Sequence, residues 1–253
     1  MDLLIVTIFC LSFSFSFFFA LGGIGSAAAI IPVLTWVGVP FNIARPTGLF
    51  INTLSMSGAT YSNIKGKRLD FKLGLPVIGT SLIMAPIGAW SGHFFSTQYI
   101  LIALILFLVF ASCMLLFFKG VKHTTEYRED HPFIGPALVG VLAGFFSGLL
   151  GVGGGGLISP LLILQGVNPK KIAAITAFAV PFSSAAGFAT YALMGAVAWK
   201  IWVVAGLAAC CGGYLGTIVM HNKMQPAVVK KFLGVILLLV AVRLFFTMVI
   251  NSL

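Results

Sequence analysis

The sequence predicts an all-α fold: a polytopic helical membrane protein of two inverted repeats, each a Gly-broken re-entrant helix hairpin plus three transmembrane helices. Three observations lead there. Of 253 residues, 60% are hydrophobic and 8% charged, whereas a soluble domain carries roughly 25% charged residues to face water. Charge-free stretches run over 3–44, 73–118, 132–169, 172–199 and 201–222, each long enough to cross a bilayer core of about 30 Å, which takes roughly 20 apolar residues. The third observation is an internal repeat. A shift of 128 residues lays Phe17, Phe18, Leu21, Gly23 and Gly25 over Phe145, Phe146, Leu149, Gly151 and Gly153, and then Pro32 and Gly38 over Pro160 and Gly166. At a shift of 129, Thr47, Ser55 and Gly58 meet Thr176, Ser184 and Gly187. Apolar sequence matches Leu and Phe by accident, but Pro, Gly and Thr in one order at one shift mark a duplicated unit.

The units are residues 1–118 and 132–253, joined by a polar cytoplasmic linker at 119–131. Each opens on a long apolar segment broken by glycine. In the second unit this segment is 134–165, about 48 Å of helix at 1.5 Å per residue, too long for one crossing and barely enough for two. Two half-length helices that enter and leave on one side, hinged at the glycine run 151–156, satisfy that length. Three spans separated by short loops complete each unit. The odd number of net crossings turns the second unit upside down relative to the first. Twelve of the fifteen basic residues, among them Lys65, Lys67, Lys119, Lys170, Lys171 and Lys223, then share one face. Arg45 and Lys200 lie on the other, and Arg243 lies within the last span. A topology in which each long segment crosses once divides the charges almost evenly, so the positive-inside rule favours the inverted arrangement, with both termini outside the cytoplasm.

The net charge of +10 sits in short loops rather than on one soluble face, which argues against a nucleic-acid partner. Cys10, Cys113, Cys210 and Cys211 fall in apolar stretches and read as buried small hydrophobes, neither a disulfide framework nor a metal site. Met1-Asp2 leads directly into apolar sequence without the basic start of a signal peptide, so the first segment is expected to remain as a membrane helix.

All five acids, Asp2, Asp70, Glu126, Glu129 and Asp130, lie outside the spans. Cation pumps keep a carboxylate at membrane depth as their working part. Its absence favours an anionic or neutral substrate. His93 and His221, at span ends, read as interfacial residues. Arg45, at the start of a span and without a counterpart in the second unit, has two readings: a helix-end residue reaching lipid headgroups, or a binder of substrate. Asn52 stands seven residues on, two helical turns, and so shares its face. Thr47, Thr176, Ser183 and Ser184 occupy the corresponding spans of the two units. Gly153, Gly154 and Gly155 are candidates of another kind, because successive glycines leave several backbone N–H groups aimed at one point beside the positive end of the next half-helix. Paired Gly/Pro-broken segments in inverted halves are the sequence pointer to a transporter's central site. Pro181, inside a span, frees a carbonyl and is expected to kink it.

The stretch Gly144-Phe145-Phe146-Ser147-Gly148-Leu149-Leu150-Gly151-Val152-Gly153-Gly154-Gly155-Gly156, with Ser159-Pro160-Leu161-Leu162, Gly166-Val167 and Ala173-Ala174-Ile175-Thr176, resembles the signature of the TauE/SafE permease family. The likeness covers nearly the whole chain. In the first unit Gly23-Ile24-Gly25-Ser26-Ala27-Ala28 replaces the glycine cluster. The resemblance implies a bacterial inner-membrane, multi-pass permease for a small sulfur-containing anion such as sulfite, sulfoacetate or another organosulfonate, with export the expected direction. No Walker-type loop is present, so ATP is not the direct energy source, and no cofactor is expected. The expected partners are a small anion and the lipid bilayer, and the sequence is compatible with a homo-oligomer. Uptake of a similar anion and a non-transporting membrane assembly factor are the other readings. A membrane-embedded enzyme is disfavoured, because no carboxylate, metal-ligand cluster or Ser/His/Asp set sits at membrane depth.

Overall fold

The computed structural model describes residues 2–22, 24–66, 69, 71–117, 134–165, 167, 169–195, 199–223 and 226–250. The linker at 119–131 lies outside them. Ten helices and no strand occur among the described residues. They are α1 (Asp2–Gly22), α2 (Ala27–Trp36), α3 (Phe41–Lys65), α4 (Phe71–Ser91), α5 (Thr97–Phe117), α6 (Ile134–Leu150), α7 (Gly155–Leu164), α8 (Pro169–Leu193), α9 (Trp199–Lys223) and α10 (Pro226–Ile250). In hydrocarbon each backbone N–H and C=O must find a partner within its own segment, which is why so apolar a chain becomes helical almost throughout. By length and composition five helices can cross a membrane, namely α4, α5 and the apolar parts of α8, α9 and α10. Of the six full-length spans expected, α3 is the one outside this set. It is as long as α8 but carries Arg45, Asn52, Asn63 and Lys65.

Both long segments are broken at the glycines, but unevenly. Helices α1 and α6 hold 21 and 17 residues, whereas α2 and α7 hold 10 each. At 1.5 Å per residue the arms of the second hairpin are therefore about 26 and 15 Å long, not two equal halves. The cause is local. Gly151, Gly153 and Gly154 all have positive φ, a conformation costly for any residue with a Cβ, so the helix stops where that run begins. In the first unit Gly25, at φ 86°, takes the same conformation at the turn.

The packing follows one exchange rule. Helix α4 lies on α6 as α1 lies on α9, and α3 lies on α9 as α4 lies on α8. The remaining large contacts join equivalent helices, α3 with α8 and α5 with α10. Both of those pairs run antiparallel. Leu49, Asn52 and Thr60 meet Gly187, Ser184 and Ala177 in turn, and Ser112 bonds the Gly234 carbonyl at 2.8 Å while Leu101 and Leu244 share a cavity wall further along.

Glycine permits the closest of these approaches. Gly140, Gly144 and Gly148, spaced by four on α6, rest on the backbone of α4 at Val77, Ser81 and Ala85. Gly212 and Gly216 of α9 rest on α1 at Phe13 and Phe17 in the same way. Lipid tails are as apolar as leucine, so helices in a membrane gain from such contact what they cannot gain from hydrophobic burial. The four cysteines correct the sequence reading. All are exposed on the outside of the helix assembly, because a surface facing lipid is itself apolar and offers small hydrophobes no reason to be inside.

Helix α8 stays continuous through Pro181. The carbonyl four residues earlier, that of Ala177, has lost its helical donor, and the Thr60 hydroxyl takes it at 2.6 Å. Pro181 thus serves to join α8 to α3.

Candidate substrate site

The two breaks meet at the centre of the molecule. A Cβ on Gly155 would collide with the Ile24 carbonyl, so the second break lies backbone to backbone against the first. Asn52 of α3 fills the space between them and is completely buried. Its Oδ1 accepts the N–H of Ala27 at 3.4 Å, and its Nδ2 donates to Ser184 Oγ at 2.9 Å. Gly25 and Gly153 both face this amide so closely that a Cβ at either would strike it. Helices α2 and α7 begin here, so the positive ends of two helix dipoles converge. The N–H groups of Val152, Gly153 and Gly154 make no hydrogen bond to the backbone or to any side chain among the described residues. Nearby, the buried Ser147 hydroxyl lacks a partner as well, and its Cβ stands against Gly154. Among the described residues the crossing therefore offers neutral donors, two helix N-termini and no carboxylate. Such a lining is suited to oxyanions and hostile to cations.

Arg45 occupies the same face of α3 two turns away, beside Gly151. It is 9% exposed, and its partners are protein groups, which dismisses the lipid-headgroup reading. Its Nη1 donates to the Leu149 carbonyl at 3.2 Å and to the Tyr191 hydroxyl at 3.0 Å. The Tyr191 hydroxyl in turn donates to the Gly148 carbonyl at 2.9 Å. With Gly151 N–H on the Ser147 carbonyl at 2.9 Å, three carbonyls at the negative end of α6 are capped. The guanidinium also lies over the rings of Phe41 and Tyr191, 5.2 and 5.1 Å from their centroids. Its Nε is buried and unpartnered.

The other candidates divide. Ser184 belongs to the crossing, and Gly153, Gly154 and Gly155 form its wall. Thr47 stands on the opposite face of α3, where its hydroxyl donates to the Ile43 carbonyl at 2.7 Å and accepts the Trp202 indole N–H at 3.1 Å. Ser183 donates to the Val180 carbonyl of its own helix at 3.1 Å. Thr176, eight residues from Ser184, pairs with Ser159 of α7 at 3.2 Å. None of these three is hydrogen-bonded to Asn52. Tyr191 and Ser147 escaped the sequence reading. Tyr191 lies seven residues beyond Ser184 and so shares its face of α8, a periodicity that would have revealed it. Ser147 carried no signal beyond its place before the glycine run. His93 is exposed in the turn after α4. Among the described residues no cluster of three His, Cys, Asp or Glu is placed to hold a metal.

Comparison with known proteins bears on the same regions. The family model described as Sulfite exporter TauE/SafE matches residues 8–244. The probable membrane transporter protein YunE of Bacillus subtilis is 26% identical over 250 residues, covering 88% of this chain and 91% of the relative. The probable membrane transporter protein ORF9 of a Sinorhizobium species is 26% identical over 249 residues, with 95% and 92% covered. Sulfite exporter TauE/SafE family protein 6 of Arabidopsis thaliana is 37% identical over 79 residues, 30% of this chain and 18% of that one. No solved structure matches.

Proposed function

The chain belongs to the sulfite exporter TauE/SafE family and is a multi-pass membrane transporter, and from that premise we propose that it carries a small sulfur-containing anion, such as sulfite or an organosulfonate, outward across the bacterial inner membrane. The observation that carries this reading is the crossing of the two breaks. There three backbone N–H groups lack acceptors and the nearest side chains, Asn52, Ser184 and Ser147, are neutral donors. An oxyanion would take the N–H groups of 152–154 and the Asn52 amide in place of the contacts that close the site, with Arg45 at one mouth attracting the charge. Glycine hinges on both sides of the crossing allow one helix group to rock against the other, so that access alternates.

Purified protein in liposomes loaded with sulfite or sulfoacetate tests the reading directly. Saturable efflux of at least one of these anions, without ATP, is the expected result. Protein that is folded and reconstituted yet moves neither anion would refute the proposed cargo.

The inverted topology belongs to the same proposal. Its supports are the distribution of basic residues and the antiparallel contacts between equivalent helices, α3 with α8 and α5 with α10. In a variant with the four exposed cysteines replaced by serine, a single cysteine at 196 should react with an impermeant maleimide added outside intact cells, and one at 170 should not. The reverse pattern would overturn the topology.

A further inference from the structure

Apart from the crossing, the end of α2, the α2–α3 turn, the start of α5 and the end of α10 line a half-open cavity of about 370 Å³. Trp36 and Phe41 form its aromatic walls, and Leu101, Leu244, Thr247 and Met248 complete it. Arg243 stands one helical turn before Thr247 on the same stripe of α10, with its guanidinium 4.1 Å from the centroid of the Trp36 ring. The Trp36 indole N–H is buried and has no partner. Seven residues separate Arg243 from the end of α10, about 10 Å along the helix. Beside it, Val242, Phe245 and Phe246 are 45%, 52% and 59% exposed, an apolar surface turned outward.

We propose that this cavity is a binding site for the headgroup of an anionic phospholipid. An arginine within an apolar span is costly unless its charge is met, and among the described residues the partner of this guanidinium is the aromatic face of Trp36. A phosphate at the cavity mouth accepts from the guanidinium and the indole N–H together, while the acyl chains lie along Phe245 and Phe246. Cation–π stacking on Trp36 holds the guanidinium in place for this contact. None of the described residues that line the cavity is acidic, so the ammonium of a zwitterionic headgroup finds no counter-ion among them and the site selects for net negative lipid. Phe41 also carries Arg45 over its ring, and a lipid held here borders the Arg45 cluster.

Native mass spectrometry of the detergent-solubilised protein with phosphatidylglycerol or phosphatidylcholine tests this site. One phosphatidylglycerol should be retained in preference to phosphatidylcholine. Arg243→Gln should weaken that retention about tenfold, as expected when a charged hydrogen bond is lost. Thr247→Phe, which fills the cavity but keeps the charge, should weaken it as well. Lys231→Gln, which removes an exposed charge elsewhere on α10, should leave it unchanged. Equal retention of the two lipids would overturn the proposal, as would unchanged retention in both cavity variants or an equal loss in Lys231→Gln. An Arg243→Gln protein that fails to fold leaves Thr247→Phe to decide.

Discussion

Transport by Gly153→Ala should fall at least thirtyfold below wild type at equal amounts of protein in the membrane. Two effects act at this position. Gly153 has φ 80°, and a residue with a Cβ held there costs about 1–3 kcal/mol. The added methyl would also collide with Asn52 Nδ2 and come within 3.0 Å of Ser184 Oγ. Parting those two groups leaves a buried amide unsatisfied, at a cost of about 1–3 kcal/mol. Even the lower sum, about 2 kcal/mol, corresponds to roughly thirtyfold in an equilibrium. Gly195→Ala is the control away from the crossing. Its φ is 89°, nothing lies within 4 Å of the added atom and it stands in the turn after α8, so its strain lowers stability without distorting the site and transport should be almost normal. Anion flux at matched expression is the measurement. Normal flux in Gly153→Ala would show that the crossing does not need the close approach of Asn52.

Arg45→Lys is the second large effect. The guanidinium bridges the Leu149 carbonyl and the Tyr191 hydroxyl and is stacked by two rings. A lysine ammonium offers a point charge without the planar fork and reproduces neither the bridge nor the stacking. If the free edge of Arg45 receives the substrate, Arg45→Lys and Arg45→Gln should both raise the KM for anion by about tenfold to a hundredfold, the scale of about 1.5–3 kcal/mol for a hydrogen bond to a charged group. Tyr191→Phe keeps the ring and removes the hydroxyl that links Arg45 to the Gly148 carbonyl. It should lower thermal stability and change KM less than either Arg45 variant. A lower Tm with unchanged KM in all three would make Arg45 a cap of α6 and remove it from substrate binding.

The helical membrane class and the place of the central break were readable from the sequence. Apolar runs longer than a bilayer crossing admit only helices, and Gly25 and Gly151–Gly154 announce a backbone that other residues avoid. Asn52 and Ser184 were legible as candidates because each stands on the span that follows a broken segment, Asn52 on the face of Arg45. Their partnership with each other was not, since the 132 residues between them are closed up only when α3 and α8 cross. The same limit hid the cap that Arg45 and Tyr191 place on α6, and it drew Thr47 into the candidate set although Trp202 engages it. The outward placing of the cysteines was missed for another reason, because apolar character in lipid does not tell inside from outside. One-dimensional periodicity records which residues share a face of one helix. Which face meets which neighbour was decided by backbone approach at glycine, a property of two helices at once. That is why the tertiary structure alone brought the two breaks together around a single asparagine.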